Sequence, residues 1–142
     1  MKYVVDTCII NKLVDGVLST GDLPGDGEFV ATHVQVDELN RTSNPERRAQ
    51  LLLKFTTIVD DMVTTESAVF SVSRFDHCKF SDGTRYDILK ADLDSVNHSK
   101  ANNAQDVLIA EVAVANGYTL LTADYDLAKV AEKHGCKVLY ST

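Results

Sequence analysis

The sequence predicts an α/β fold, a parallel sheet covered by helices on both faces. Short apolar, β-branched runs alternate with segments whose apolar residues recur every three or four positions. The first run, Tyr3-Val4-Val5, is continuously apolar, as expected of a strand buried on both faces. Helical segments separate the strands, the order that parallel neighbours need for their crossovers. At 142 residues the chain fits one domain spanning 1–142 with room for a sizeable core.

Residues 2–5 form the first expected strand, ending at Asp6, and Ile9, Ile10, Leu13, Val14 and Val17 then recur at helical spacing. Three glycines and Pro24 make Ser19 to Gly27 a loop. Glu28 to Thr32 reads as a second strand and His33 to about Arg41 as a helix. Asn44-Pro45-Glu46 supplies a cap, a proline at the first helical position and an acidic first turn. That helix is expected to run to about Asp60, burying Leu51, Leu52, Phe55 and Ile58 or Val59. Ala68 to Val72 has strand character, and Arg74 to Gly83 reads as a loop or short hairpin. Asp82 or Thr84 starts a helix through Ile88, Leu89, Leu93 and Val96 to about His98. Asn103 to Asn116 is a helix stopped by Gly117, Tyr118 to Thr122 a strand, Asp124 to His134 a helix closed by Gly135, and Lys137 to Tyr140 a last strand.

Composition narrows the chemistry. With 44% apolar and 25% charged residues, the chain has the profile of a globular protein. It has no apolar run long enough for a membrane span, and Met1-Lys2 before the first strand is too short for a signal peptide, so a cytoplasmic protein without a membrane partner is expected. Cys8, Cys78 and Cys136 contain no CxxC pair, against a disulfide framework or a thiolate zinc site. His33, His77, His98 and His134 have no metal-ligand spacing. A net charge of −7 disfavours non-specific coating of nucleic acid, yet leaves room for a nuclease whose site is itself acidic. Arg41, Arg47, Arg48 and Lys54 form the densest basic stretch, with Arg74, Lys79, Arg85 and Lys90 a looser second group; each also reads as a solvated face.

Four acidic positions punctuate this pattern. Asp6 ends a buried strand, where a charge is costly unless paired, although it could also cap the following helix. Asp106 lies at the third helical position after Asn103, as in a capping box, yet also leads the stripe Ile109, Ala110 and Ala113. Asp124 and Asp126 suit the start of the last helix, next to the Thr122 hydroxyl. Asp37 and Glu38 are adjacent, and helical periodicity does not decide which faces inward. Asp6 and Asp124 fall at carboxyl ends of strands, where open parallel sheets bind ligands. Carboxylates sharing one cleft repel unless a cation joins them; for oxygen ligands that means a hard ion such as Mg²⁺ or Mn²⁺.

Taken in order, Tyr3-Val-Val-Asp6-Thr7, Thr32-His-Val-Gln-Val-Asp-Glu38-Leu, Asn103-Ala-Gln-Asp106-Val-Leu-Ile-Ala and Leu121-Thr122-Ala-Asp124-Tyr-Asp126-Leu resemble the motifs of a PIN domain, in particular the VapC-like toxin ribonucleases. The resemblance spans nearly the whole chain and selects Glu38 over Asp37. It implies a three-layer α/β/α sandwich with a central parallel sheet, and Mg²⁺- or Mn²⁺-dependent endoribonuclease cleavage of single-stranded or looped RNA. It further implies Asp6, Glu38, Asp106 and Asp124 as metal ligands, with Thr122 (or Thr7) orienting water or phosphate, and an antitoxin and a homodimer as partners. Two departures stand out: Cys8 replaces a small polar residue, and residues 64–100 have no close counterpart. The alternative is a catalytically silent PIN-like module that binds RNA or acts as a scaffold. A phosphoacceptor receiver or a haloacid-dehalogenase-type phosphatase would need a further acid after the first strand, which Asp6-Thr7-Cys8 lacks.

Overall fold

A computed structural model describes residues 1–69 and 83–141. The strands β1 (Lys2–Val5), β2 (Glu28–Ala31), β3 (Asp61–Met62), β4 (Thr119–Thr122) and β5 (Lys137–Tyr140) alternate with the helices α1 (Thr7–Val14), α2 (His33–Asn40), α3 (Pro45–Ile58), α4 (Thr84–Asn97), α5 (Asn103–Asn116) and α6 (Tyr125–Lys133). The sheet has the order β3-β2-β1-β4-β5, and every pairing is parallel. β1 lies at its centre, with Val4 paired to Val30 on one side and to Leu120 on the other.

Alternation along the central strands divides the core into two layers. Val4, Val30 and Leu120 pack with Leu89 and Leu93 of α4, Val107 and Leu108 of α5, and Leu127 and Val130 of α6. Val5, Ala31 and Leu121 point the other way, against Ile9 and Leu13 of α1 and Leu51, Phe55 and Ile58 of α3. α2 serves both layers, through Val34 and Leu39. This is the expected three-layer α/β/α sandwich.

Local chemistry sets most boundaries. Asn44 accepts the Arg47 N–H at 3.0 Å, with Pro45 opening α3. Thr32 caps α2 and donates both its N–H and its hydroxyl to the Gln35 side-chain oxygen, while the Gln35 amide donates to the Val5 carbonyl at 3.0 Å. Gly117 (φ 70°) stops α5 in the left-handed conformation glycine tolerates best.

The structure departs from the sequence reading, or adds to it, at four places. The cap of α5 is Asn102, not Asn103. Asn103 is instead fully buried, exchanging two 2.8 Å amide bonds with Asn97 and donating to Asp94 at 2.7 Å, so tertiary partners outcompete the local cap. In α4 the buried face is Leu89, Leu93 and Asn97, whereas Ile88 and Val96 are about half exposed. The edge strand β3 is exposed at both residues, so no apolar run announces it. Ala68 and Val69 are not in a strand, and the remaining expectation for this region falls on residues 70–82, outside the described residues.

Candidate functional site

The chain leaves β1 in both directions across the sheet, through β2 to β3 and through β4 to β5. Such a reversal opens a crevice at the carboxyl ends of the two strands on either side of it. Asp6 and the segment Thr122 to Asp124 stand at that place, at the ends of β1 and β4, and the Asp6 N–H continues the ladder to the Leu121 carbonyl at 2.9 Å.

Asp6 both caps α1 and belongs to the site. Its Oδ1 accepts the Thr7 N–H at 2.8 Å; its Oδ2 accepts the Thr122 hydroxyl at 2.7 Å and the Cys8 thiol at 3.3 Å. Only 3% of the residue is exposed, and burial raises its pKa despite the three bonds that oppose the shift. Glu38 is half-buried, and its Oε1 accepts the Thr7 hydroxyl at 3.2 Å. Burial first, then the charge of Asp6, pushes its pKa up to about 7, opposed by Thr7 and Arg41. Glu38 rather than Asp37 is thus the α2 acid turned to the crevice.

Asp106, in the first turn of α5, has no side-chain hydrogen bond among the described residues. Burial, followed by the charges of Asp6, Glu38 and Asp124, pushes its pKa up to about 8, while Lys100 acts in the opposite direction. Asp124 caps α6 by accepting the Leu127 N–H at 3.1 Å, and its own N–H donates to the Thr122 hydroxyl at 3.0 Å. Thr122 is fully buried, with its hydroxyl engaged by Asp6 and Asp124, which makes it a positioning group.

The four acids expected from the sequence therefore share one electrostatic neighbourhood drawn from four separate segments. Cys8, which the sequence marked as a departure beside Asp6, supports that aspartate directly. Its sulfur meets Asp6 Oδ2, accepts the Ala123 N–H at 3.2 Å and lies 3.7 Å from the Thr122 hydroxyl, bracing the first turn of α1 against the turn after β4. Burial and the neighbouring Asp6 drive the thiol pKa upward, so it is held as a neutral donor. Its place two residues after Asp6 was the available signal. Of the basic stretch, Arg47 is committed to Asp15 at 2.7 Å and Arg48 to the Thr42 carbonyl at 3.1 Å, whereas Arg41 acts on Glu38.

The donor set fits a hard divalent cation in chemistry: carboxylate oxygens whose mutual repulsion a positive ion would relieve. It stands open, because among the described residues no three Asp, Glu, His or Cys side chains are grouped closely enough to hold an ion as they are.

No family profile matches the chain, and no curated protein matches it by sequence. Solved structures do. A chain of VapBC2 from Rickettsia felis, crystallised with a DNA fragment from its promoter, is 17% identical, with a TM-score of 0.62 and full coverage of both chains. A domain of a functionally unknown protein from Methanocaldococcus jannaschii is 17% identical, with a TM-score of 0.61 over 99% of this chain and 91% of that one. VapBC-5 of Mycobacterium tuberculosis, from a family of toxin-antitoxin systems, is 17% identical with a TM-score of 0.54, over 99% of this chain and 98% of its own. What the chain shares with them is the fold. Fold and site together define a PIN-like α/β/α sandwich with an acidic crevice at its topological switch point. No helix among the described residues is long and apolar enough to cross a membrane.

Proposed function

We propose that this chain is a divalent-metal-dependent endoribonuclease that hydrolyses RNA phosphodiester bonds, acting as the toxin of a toxin–antitoxin pair. The observation that carries the reading is the convergence of Asp6, Glu38, Asp106 and Asp124, with Asp6, Glu38 and Asp106 all raised in pKa. The fold shared with VapBC2 and VapBC-5 supports the toxin reading and an antitoxin as partner; a homodimer is what the resemblance of the motifs implies.

Asp6, Glu38, Asp106 and Asp124 would hold Mg²⁺ or Mn²⁺. A bound ion supplies Lewis-acid charge at a phosphate oxygen and makes water acidic enough to attack near neutral pH. The chain's own groups orient the ligands. Thr122, Cys8 and the Thr7 N–H fix both oxygens of Asp6; the Thr7 hydroxyl fixes one oxygen of Glu38; the cap to Leu127 fixes one of Asp124. Asp106 keeps both oxygens uncommitted among the described residues, available as ligand or proton acceptor. Thr7 serves Glu38, so neither it nor Thr122 need touch phosphate directly.

The second reading, a silent RNA-binding or scaffolding module, draws on the open spacing of the acids. RNA cleavage with Mg²⁺ or Mn²⁺, with chelator and with Asp106→Asn separates the two. Activity is expected with metal, and its loss is expected with chelator and in the variant. Unchanged cleavage by Asp106→Asn would sink the site assignment, and absence of cleavage by the wild type selects the silent module. Because Asp106 is not a cap, the same substitution should stabilise the metal-free fold at pH 8, by about 1 kcal/mol in chemical denaturation.

A further inference from the structure

Two large aromatic side chains remain exposed at the edge of the sheet that carries the carboxylates. Tyr125 follows Asp124 directly and is 57% exposed; Tyr140 ends β5 and is 40% exposed. Tyr140 pairs in register with Thr122, and the Ser141 N–H donates to the Thr122 carbonyl at 2.9 Å, so both rings are anchored to the strand end that positions Asp6. The rings meet edge to face, with centroids 6.1 Å apart and planes 74° apart. That geometry fixes their mutual orientation while much of their surface remains in water. Lys129, one helical turn beyond Tyr125, places its ammonium 5.3 Å from the Tyr125 ring centre.

We propose that Tyr125 and Tyr140 form a nucleobase-stacking platform beside the acidic crevice, with Lys129 meeting the phosphate of the stacked nucleotide. The inference rests on the RNA-cleavage reading of the site and names the part of the substrate that the carboxylates do not touch. A net charge of −7 disfavours holding RNA by general attraction alone. Stacking has no charge requirement and accepts any base, which suits single-stranded RNA. Tyr125 directly follows Asp124 and Tyr140 pairs with Thr122, so a base on these rings lies beside the carboxyl end of β4.

The test uses the full chain carrying Asp106→Asn in Mg²⁺, with RNA integrity checked on gels. Two fluorescein-labelled probes of equal length are compared by anisotropy, a mixed-sequence single-stranded RNA and an oligomer abasic throughout. The parent should prefer the RNA. Tyr125→Ala or Tyr140→Ala should weaken RNA binding about tenfold and leave abasic binding unchanged, while the Phe variants retain the preference. Unchanged RNA affinity in both Ala variants, equal losses on both probes, or no binding of RNA by the parent overturns the platform. Unfolding midpoints of the Ala variants equal to the parent's identify a binding effect, and the Phe variants supply a folded control for any that fall. If base-dependent binding is lost on substitution but the wild type cleaves no RNA, the cleavage reading fails and the platform stands. If the wild type cleaves RNA but binding ignores both tyrosines, the platform fails and the cleavage reading stands.

Discussion

Thr122 illustrates how much one fully buried hydroxyl can organise. It donates to Asp6 Oδ2 at 2.7 Å and accepts the Asp124 N–H at 3.0 Å, so the carboxylate at the end of β1 and the cap of α6 share one atom. Cys8 adds a weaker thiol bond to the same Asp6 oxygen. Thr122→Val keeps the shape and removes the hydroxyl, leaving the buried Asp6 oxygen to Cys8 alone and the Asp124 amide without this partner. It should destabilise the protein by about 1–3 kcal/mol in denaturant unfolding. A cost under about 0.5 kcal/mol would show that water replaces the hydroxyl at both partners.

At the scale of elements, the joint between α4 and α5 sets where Asp106 stands. The chain turns through two successive left-handed residues, His98 (φ 60°) and Ser99 (φ 56°), a conformation costly for side chains other than glycine. The compensation lies below them: the reciprocal Asn97–Asn103 amide pair, with Asp94 also bonded to Asn103 and paired with Lys90 at 2.7 Å. Asn103 begins α5, and Asp106 follows within the same turn. Asn103→Ala should therefore destabilise the fold by about 2–3 kcal/mol, since it strands buried amide groups of Asn97. It should also weaken Mn²⁺ binding measured by calorimetry. Loss of stability with unaltered Mn²⁺ affinity would mean that the joint does not position Asp106.

For the whole molecule, the acidic crevice ties stability to pH. Glu38 and Asp106 have folded pKa values pushed up to about 7 and about 8, above the ordinary carboxylate range. Between that range and about pH 8 the folded state binds more protons than the unfolded chain. Their stabilising contribution is complete below the ordinary range and disappears as pH rises through the folded values. Asp15, Asp92 and Asp94 act with the opposite sign: their lowered pKa values support the fold above the ordinary range and fail on acidification. These are surface groups, so the alkaline limb should be the steeper. The metal-free protein should melt at a lower temperature at about pH 8.5 than at about pH 6, and Mg²⁺ or Mn²⁺ should raise the midpoint more at the higher pH. A midpoint insensitive to pH, or an ion effect that grows on acidification, would contradict this linkage.

Much of the architecture was legible because it rests on local periodicity: the continuous apolar run of β1, the Asn44-Pro45-Glu46 start of α3 and the glycine after α5 state their structures within a few residues. The four acids were legible as punctuation for the same reason, each standing at an element boundary or on a short helix. The exposed β3 and the buried Asn103 were not, since one pairs through its backbone and the other is held by partners from another helix. The choice of Glu38 over Asp37 is of this kind too. Helical spacing leaves it open, and the Thr7 hydroxyl, 31 residues away in sequence, makes it. By itself the sequence determined most of the strands and helices, β3 excepted, because propensity and patterning act over one or two turns. Only the tertiary structure decided that Asp6, Glu38, Asp106 and Asp124 share a field, because that depends on the strand order β3-β2-β1-β4-β5, which brings distant strand ends together.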